Sequence, residues 1–180
     1  MGQQSKCGGG CLGFLGGKSD PLPKANTKPF GLDTAKTVRT FFPDTTPLKN
    51  CKKMAEKYGV AGIYCKDESY RQGQQAFKVN GAAYAMAMWL AKYRLGLSDL
   101  STVSGMDDLK CKLQEKHGEE QITFVTCTDG NHGRAVAYGA KLTGQKAVIY
   151  MPKGSAQARV DHITNHGGDC TVEEKNIKEN

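Results

Sequence analysis

The sequence predicts an open, mostly parallel α/β sheet. Short runs rich in β-branched and aromatic residues, at 62–65, 121–126, 146–151 and 169–172, alternate with longer helix-forming stretches. Gly, Asn and Asp cluster at 127–133, where a strand must give way to a helix. A chain of 180 residues with 38% hydrophobic content can bury one core, which favours a single domain with a tail.

The first forty residues read as an extension before that fold. Gly8, Gly9, Gly10, Gly13, Gly16 and Gly17, with Pro21 and Pro23, weaken regular structure, so a disordered tail is expected over 1–40. Gly2 opens a lipidation pattern, and Cys7 and Cys11 are further acylation candidates. That pattern needs Ser or Thr at position six, where Lys6 stands with Ser5 one place early, so the tail reading is preferred.

The fold-bearing body is expected over 41–172, with a charged, divergent end at 173–180. A helix is expected over 46–59, because Leu48, Cys51, Ala55 and Tyr58 recur at near-helical spacing behind Thr46 as cap and Pro47 in the first turn. A short strand at 62–65 follows. Residues 79–95 form the longest expected helix: Ala82, Ala83, Ala85, Ala87 and Ala91 are strong formers, and Gly96 suits the left-handed residue past its end. A polar insertion at 97–120 holds a helix over 106–116, with Ser104 near its start and a solvated charged face. Strand 121–126 leads through a loop into helix 134–142, which ends at Gly144. Strand 146–151, a helix at 155–165 and strand 169–172 complete the order. No internal repeat is present.

Two segments carry chemistry. The stretch from Asp67 to Phe77 delivers Lys78 to the start of the long helix, where unsatisfied amides disfavour an ammonium and favour a nucleophilic amine. Such lysines form covalent links with carbonyls. The plain alternative is a surface lysine snorkelling from an amphipathic helix. The second segment, Cys127-Thr128-Asp129-Gly130-Asn131-His132-Gly133, joins a strand to a helix, which in a parallel sheet places it at the ligand-binding carboxyl edge. Gly130 and Gly133 permit close approach, Asn131 offers a donor and an acceptor, and Asp129 offers a carboxylate. An ordinary turn and helix cap would use the same residue types, so both readings stand on residues alone.

These segments, with Thr46-Pro47-Leu48 and the run Val148-Ile149-Tyr150-Met151-Pro152-Lys153-Gly154-Ser155-Ala156-Gln157, resemble the amino-terminal half of the diaminopropionate ammonia-lyase family. The resemblance runs from about Phe41 to about Val172. That family is tryptophan-synthase-β-like, of fold type II, and uses pyridoxal phosphate, so the resemblance implies this fold class in incomplete form. It implies that Lys78 carries the cofactor and returns as a base, and that Asn131 lies beside the cofactor's phenolic oxygen within a wall formed by Gly130, His132 and Gly133. Asp129 is the discriminating residue, since serine and threonine dehydratases usually place a small or hydroxylated residue there. The implied reaction is α,β-elimination of 2,3-diaminopropionate to pyruvate and ammonia. Ser69, Arg71, Gly73 and Ala76 are expected to frame the site, with Arg71 pairing structurally and Phe77 packing.

The resemblance also implies a homodimer, a small amino acid substrate, and a truncated half whose phosphate loop lies in a complementing carboxyl-terminal half. Two other readings stay open: a serine/threonine dehydratase-like enzyme, and a noncatalytic remnant or partner-binding fragment.

Composition narrows the partners. The net charge of +7 is concentrated early, with ten Lys/Arg and four Asp/Glu in residues 1–60, but the charges are scattered and Phe41, Phe42 and Tyr58 form no stacking series. Nucleic-acid binding is therefore not expected. A membrane span is not expected either, because the Ala-rich run around Trp89 is interrupted by Asn80, Lys92 and Arg94. Seven irregularly spaced cysteines and the lack of a secretory pattern point to a reducing, cytoplasmic setting. No metal is expected: Cys7 and Cys11 lack further ligands, and His162 and His166, though compatibly spaced, have no Glu between them in the metalloprotease position.

Overall fold

Helix α1, Leu32–Phe41, stands where the tail was expected to continue to residue 40. The structure, a computed structural model, describes residues 32–173. The readings made on Gly2, Cys7, Cys11 and the charged end lie outside them. Val38, Phe41 and the following Phe42 pack with Leu90, Leu100 and Leu109. Burial of that apolar face, at 6% exposure for Phe41 and 4% for Phe42, outweighs the Gly- and Pro-rich character of the preceding sequence.

The helix expected from Thr46 also divides. Strand β1, Leu48–Asn50, pairs antiparallel with β2, Tyr64–Lys66, and helix α2 is confined to Lys52–Tyr58. Hydrogen bonds from Cys51 N to Ile63 O and from Asp67 N to Pro47 O extend the pairing at both ends. Leu48 is 65% exposed, so its spacing from Cys51 and Ala55 marks no buried helix face. These two strands form a small sheet of their own, separate from the parallel one.

Helix α3 covers Lys78–Leu90 and passes into a π-helical turn, Ala91–Leu95, that closes on left-handed Gly96. Helix α4, Met106–His117, fills the polar insertion and buries Met106, Leu109 and Leu113. The remaining elements are β3 (Thr123–Cys127), α5 (Asn131–Thr143), β4 (Lys146–Met151), α6 (Gln157–Thr164) and β5 (Asp169–Val172). The three strands run parallel in the order β3-β4-β5, with Val125 opposite Val148 and Val148 opposite Asp169. A helix makes each crossover, as parallel pairing requires.

One face of this sheet is covered. Ala147, Ile149 and Met151 of β4 pack with Val136, Ala137 and Ala140 of α5, Ile163 of α6 and Met86 of α3. The opposite face leaves Val125 62% exposed and Tyr150 36% exposed. Helices α3 and α5 approach closely at Ala83 and Gly139: a Cβ on Gly139 would lie 3.1 Å from Ala83 Cα and 2.9 Å from Met86 Sδ.

Candidate active site

The packing of α3 fixes the end of the fold at which Lys78 lies. Trp89, near the end of α3, meets Phe124 at the start of β3 edge-on, with ring centroids 6.1 Å apart. The far end of α3 therefore lies at the amino edge of the sheet and its beginning at the carboxyl edge. Helix α5 starts at that same carboxyl edge, directly after β3. From the Ala83–Gly139 crossing, Lys78 lies five residues back and Asn131 eight, about 7.5 and 12 Å along their axes at 1.5 Å per residue. The two segments singled out in the sequence thus come to one end of the fold.

The segment before Lys78 is held by a polar network. Arg71 donates from Nε and Nη2 to the two oxygens of Glu68, at 2.8 and 2.9 Å, and from Nη1 to Asp44 O at 2.9 Å. Thr46 Oγ1 donates to Glu68 Oε1 at 2.7 Å. The Arg71 guanidinium and the Thr46 hydroxyl hold the Glu68 carboxyl well below its usual range, at about 2. Asp67 accepts from Ser69 N and Oγ, and from Lys49, which with Ser69 lowers its pKa to about 2. Arg71 therefore pairs structurally, as expected, in the segment that leads to Lys78.

This approach is conformationally unusual. Gln72 and Gln75 both hold left-handed backbone, at φ 47° and 54°, a region that costs a residue other than glycine about 1 kcal/mol or more. Gln74 between them is buried, at 3% exposure, and Ala76 is buried beside it. The buried side-chain oxygens of Gln72, Gln74 and Asn80 have no hydrogen-bond partner among the described residues. Lys78 itself is exposed, and among the described residues its Nζ makes no hydrogen bond or ion pair. Phe77, expected to pack, is 67% exposed.

The loop after β3 is anchored from below and from the side. Thr128 N donates to Tyr150 O at 2.9 Å, and Thr128 Oγ1 accepts from Gly130 N at 3.2 Å. Gly133 is buried: a Cβ there would come within 2.5 Å of Thr128 Cγ2 and 2.8 Å of Ile149 Cγ2, so only glycine lets the start of α5 sit this low. Arg159 of α6 donates from Nη1 to Asp129 O at 2.8 Å. Asn131 Oδ1 accepts from Arg134 Nη2 at 3.2 Å. Asp129, Asn131 and His132 are exposed, and no side chain caps α5. Cys127 is also exposed.

Arg134 and Arg159 are the functional candidates that sequence reasoning missed. Neither belongs to a spacing pattern, since Arg159 reaches the loop from 30 residues away. Among the described residues, no cluster of three or more His, Cys, Asp or Glu residues can hold a metal. His166 instead stands edge-on to Tyr138, and burial lowers its pKa.

Comparison with known proteins places this arrangement. The family described as pyridoxal-phosphate dependent enzyme matches residues 40–180. The chain belongs to this family. It is 44% identical over 169 residues to diaminopropionate ammonia-lyase of Escherichia coli strain K12, covering 91% of this chain and 38% of that protein. The chain thus spans well under half the length of this relative. The crystal structure of the Escherichia coli enzyme in apo form superposes with a TM-score of 0.73 at 44% identity, covering 83% of this chain and 40% of that one. A more distant relative, a biosynthetic L-threonine dehydratase of Pasteurella multocida, is 30% identical over 134 residues, covering 74% of this chain and 21% of that protein. The architecture is that of the fold type II pyridoxal-phosphate-dependent enzymes, represented in part.

The residues present fit the cofactor of the pyridoxal-phosphate-dependent family. An uncommitted primary amine lies at the same edge as the uncapped amino end of a thirteen-residue helix, whose free amides suit an acceptor oxygen. Lys78 offers a primary amine, a group able to bond a carbonyl carbon, and Asn131 offers a carboxamide at the same edge of the sheet. The carboxylate of Asp129 lies on the same loop.

Proposed function

We propose that this chain provides the lysine-bearing part of a pyridoxal-phosphate-dependent ammonia-lyase that eliminates ammonia from 2,3-diaminopropionate. The observation that carries the proposal is the placement of Lys78 and the Asp129–Asn131 loop at one edge of the sheet. Lys78 Nζ holds the cofactor covalently, and Gly130, Asn131, His132 and Gly133 wall it. When bound, pyridoxal phosphate supplies a sink for the electrons released at the substrate α-carbon. The Lys78 amine would take the α-proton from one face. Asp129 serves the other face, which admits both enantiomers, and loss of the β-amine followed by hydrolysis yields pyruvate and two ammonia. The 44% identity to a diaminopropionate ammonia-lyase, against 30% to a threonine dehydratase, supports this substrate over a hydroxy amino acid.

The working enzyme, in this reading, includes a second polypeptide segment that complements this one, and it assembles as a homodimer in the cytoplasm. Two facts support the complementing segment. The chain spans 38% of the length of its relative, and a parallel sheet ordinarily buries both faces, whereas Val125 and Tyr150 stand uncovered here. No helix among the described residues is long and apolar enough to cross a membrane.

The test adds pyridoxal phosphate to the purified, folded chain, records visible absorbance, and assays pyruvate formed from diaminopropionate. Absorbance that Lys78→Ala abolishes supports the assignment. A folded sample showing neither absorbance nor pyruvate overturns activity for the chain alone, and absorbance that survives Lys78→Ala refutes the lysine link.

A further inference from the structure

Asn131 presents a carboxamide whose two ends differ in chemistry, and its neighbour decides which end faces the site. Arg134, one turn along α5, is 8% exposed, and its Nη2 lies 3.2 Å from Asn131 Oδ1. A guanidinium carries only donors, so the carbonyl end of the amide must face it. The NH₂ end is then turned the other way. Among the described residues no carboxylate pairs with Arg134, so Asn131 Oδ1 is the side-chain acceptor it addresses. The burial of Arg134 limits where its guanidinium can go. It shares a small recess with Gly130, Asn131, Arg159 and His162, and Arg159 is itself tied to Asp129 O.

We infer that Arg134 is a positioning residue that locks the Asn131 carboxamide with its NH₂ end outward, as a fixed donor to an anionic oxygen of the bound ligand. On the reading proposed above, that oxygen is the phenolic oxygen of pyridoxal phosphate. A lysine at 134 keeps the donor-only character. A glutamine can present either end of its own amide and imposes no orientation, and a methionine fills the space without a donor.

The experiment uses the full 180-residue chain. Nuclear magnetic resonance relaxation of the Asn131 side-chain NH₂ is measured without cofactor in the wild type, Arg134→Lys, Arg134→Met and Arg134→Gln. The amide is expected to be ordered in the first two and mobile in the last two. An amide equally ordered in Arg134→Met, or mobile in the wild type, overturns the inference. Titration with pyridoxal phosphate, read by visible absorbance, is then expected to show affinity about tenfold weaker for Met and Gln and within threefold of wild type for Lys. Asn131→Asp guards against a misfolded Arg134 variant, because it strengthens the contact with Arg134 but has no donor to turn outward. It should stay folded with an undiminished denaturation midpoint and still lose about tenfold in affinity; undiminished affinity overturns the inference. If the wild-type amide is ordered through Arg134 but no absorbance develops, the cofactor reading fails while the locking of the amide stands. If absorbance develops and the amide is mobile, the locking fails while the cofactor reading stands.

Discussion

Arg159 Nη1 and Asp129 O are joined by a 2.8 Å hydrogen bond that ties the first turn of α6 to the loop after β3. The stem of Arg159 also lies over Gly130, with Cδ 3.3 Å from where a Cβ would stand. The carboxylate of Asp129 is exposed, so its direction depends on how firmly its own backbone is held, and this bond is the side-chain anchor it has among the described residues.

Replacing that anchor should loosen the loop without unfolding the chain. Arg159→Ala is expected to change global stability by less than about 1 kcal/mol, since the side chain is exposed. Amide hydrogen exchange at Gly130 and Asn131 should speed up while exchange in β4 stays unchanged. Unaltered exchange at Gly130 would show that the loop holds itself.

A depressed carboxyl makes the approach to Lys78 acid-sensitive. Glu68 titrates at about 2 in the folded chain against an ordinary 4.5, so its stabilising contribution is complete above 4.5 and is lost as pH falls from there toward about 2. Urea midpoints measured across that interval should drop more steeply for the wild type than for Glu68→Gln. Parallel slopes would count against the Thr46–Glu68–Arg71 network as the source.

Two glycines serve close packing. Gly133→Ala places a methyl 2.5 Å from Thr128 Cγ2, and Gly139→Ala places one 3.1 Å from the Ala83 backbone. Each is expected to cost about 1–3 kcal/mol in chemical denaturation. The Gly139 change pushes α3 from α5 and so should also weaken pyridoxal phosphate binding, whereas an equal substitution at exposed Gly81, with nothing within 4 Å of its Cβ position, should be neutral or mildly stabilising.

Asp129→Asn should damage turnover of one diaminopropionate enantiomer selectively, by about 10²-fold or more, as loss of an acid–base group does. Steady-state kinetics on each enantiomer, in the complemented enzyme, makes the comparison. Equal losses for both would remove the face-specific role from Asp129.

Much of this arrangement was legible in the sequence because local and tertiary signals agreed. The strands at Lys146–Met151 and Asp169–Val172 fall where β-branched runs placed them, and α5 ends at Gly144 as its composition required. Lys78 and the Asp129–Asn131 loop stood out because glycine and chemically active residues coincide at element boundaries. The split at Thr46 was hidden, because the pairing of Leu48 with Lys66 is a contact between distant residues that overrides a near-helical spacing. Helix α1 was masked by the glycines and prolines before it. Arg134 and Arg159 were invisible for a different reason: their roles lie in which atom they meet, and no periodicity encodes that.

The sequential order β3-β4-β5 has a kinetic consequence. Val125 finds Val148, and Val148 finds Asp169, each about two dozen residues further along the chain, so neither pairing waits for a distant partner. Each strand can dock as it is made, with α5 and then α6 folding over the growing edge. The loop that carries Asp129 and Asn131 needs only the pairing of β4 with β3 to gain its bond from Thr128 N to Tyr150 O.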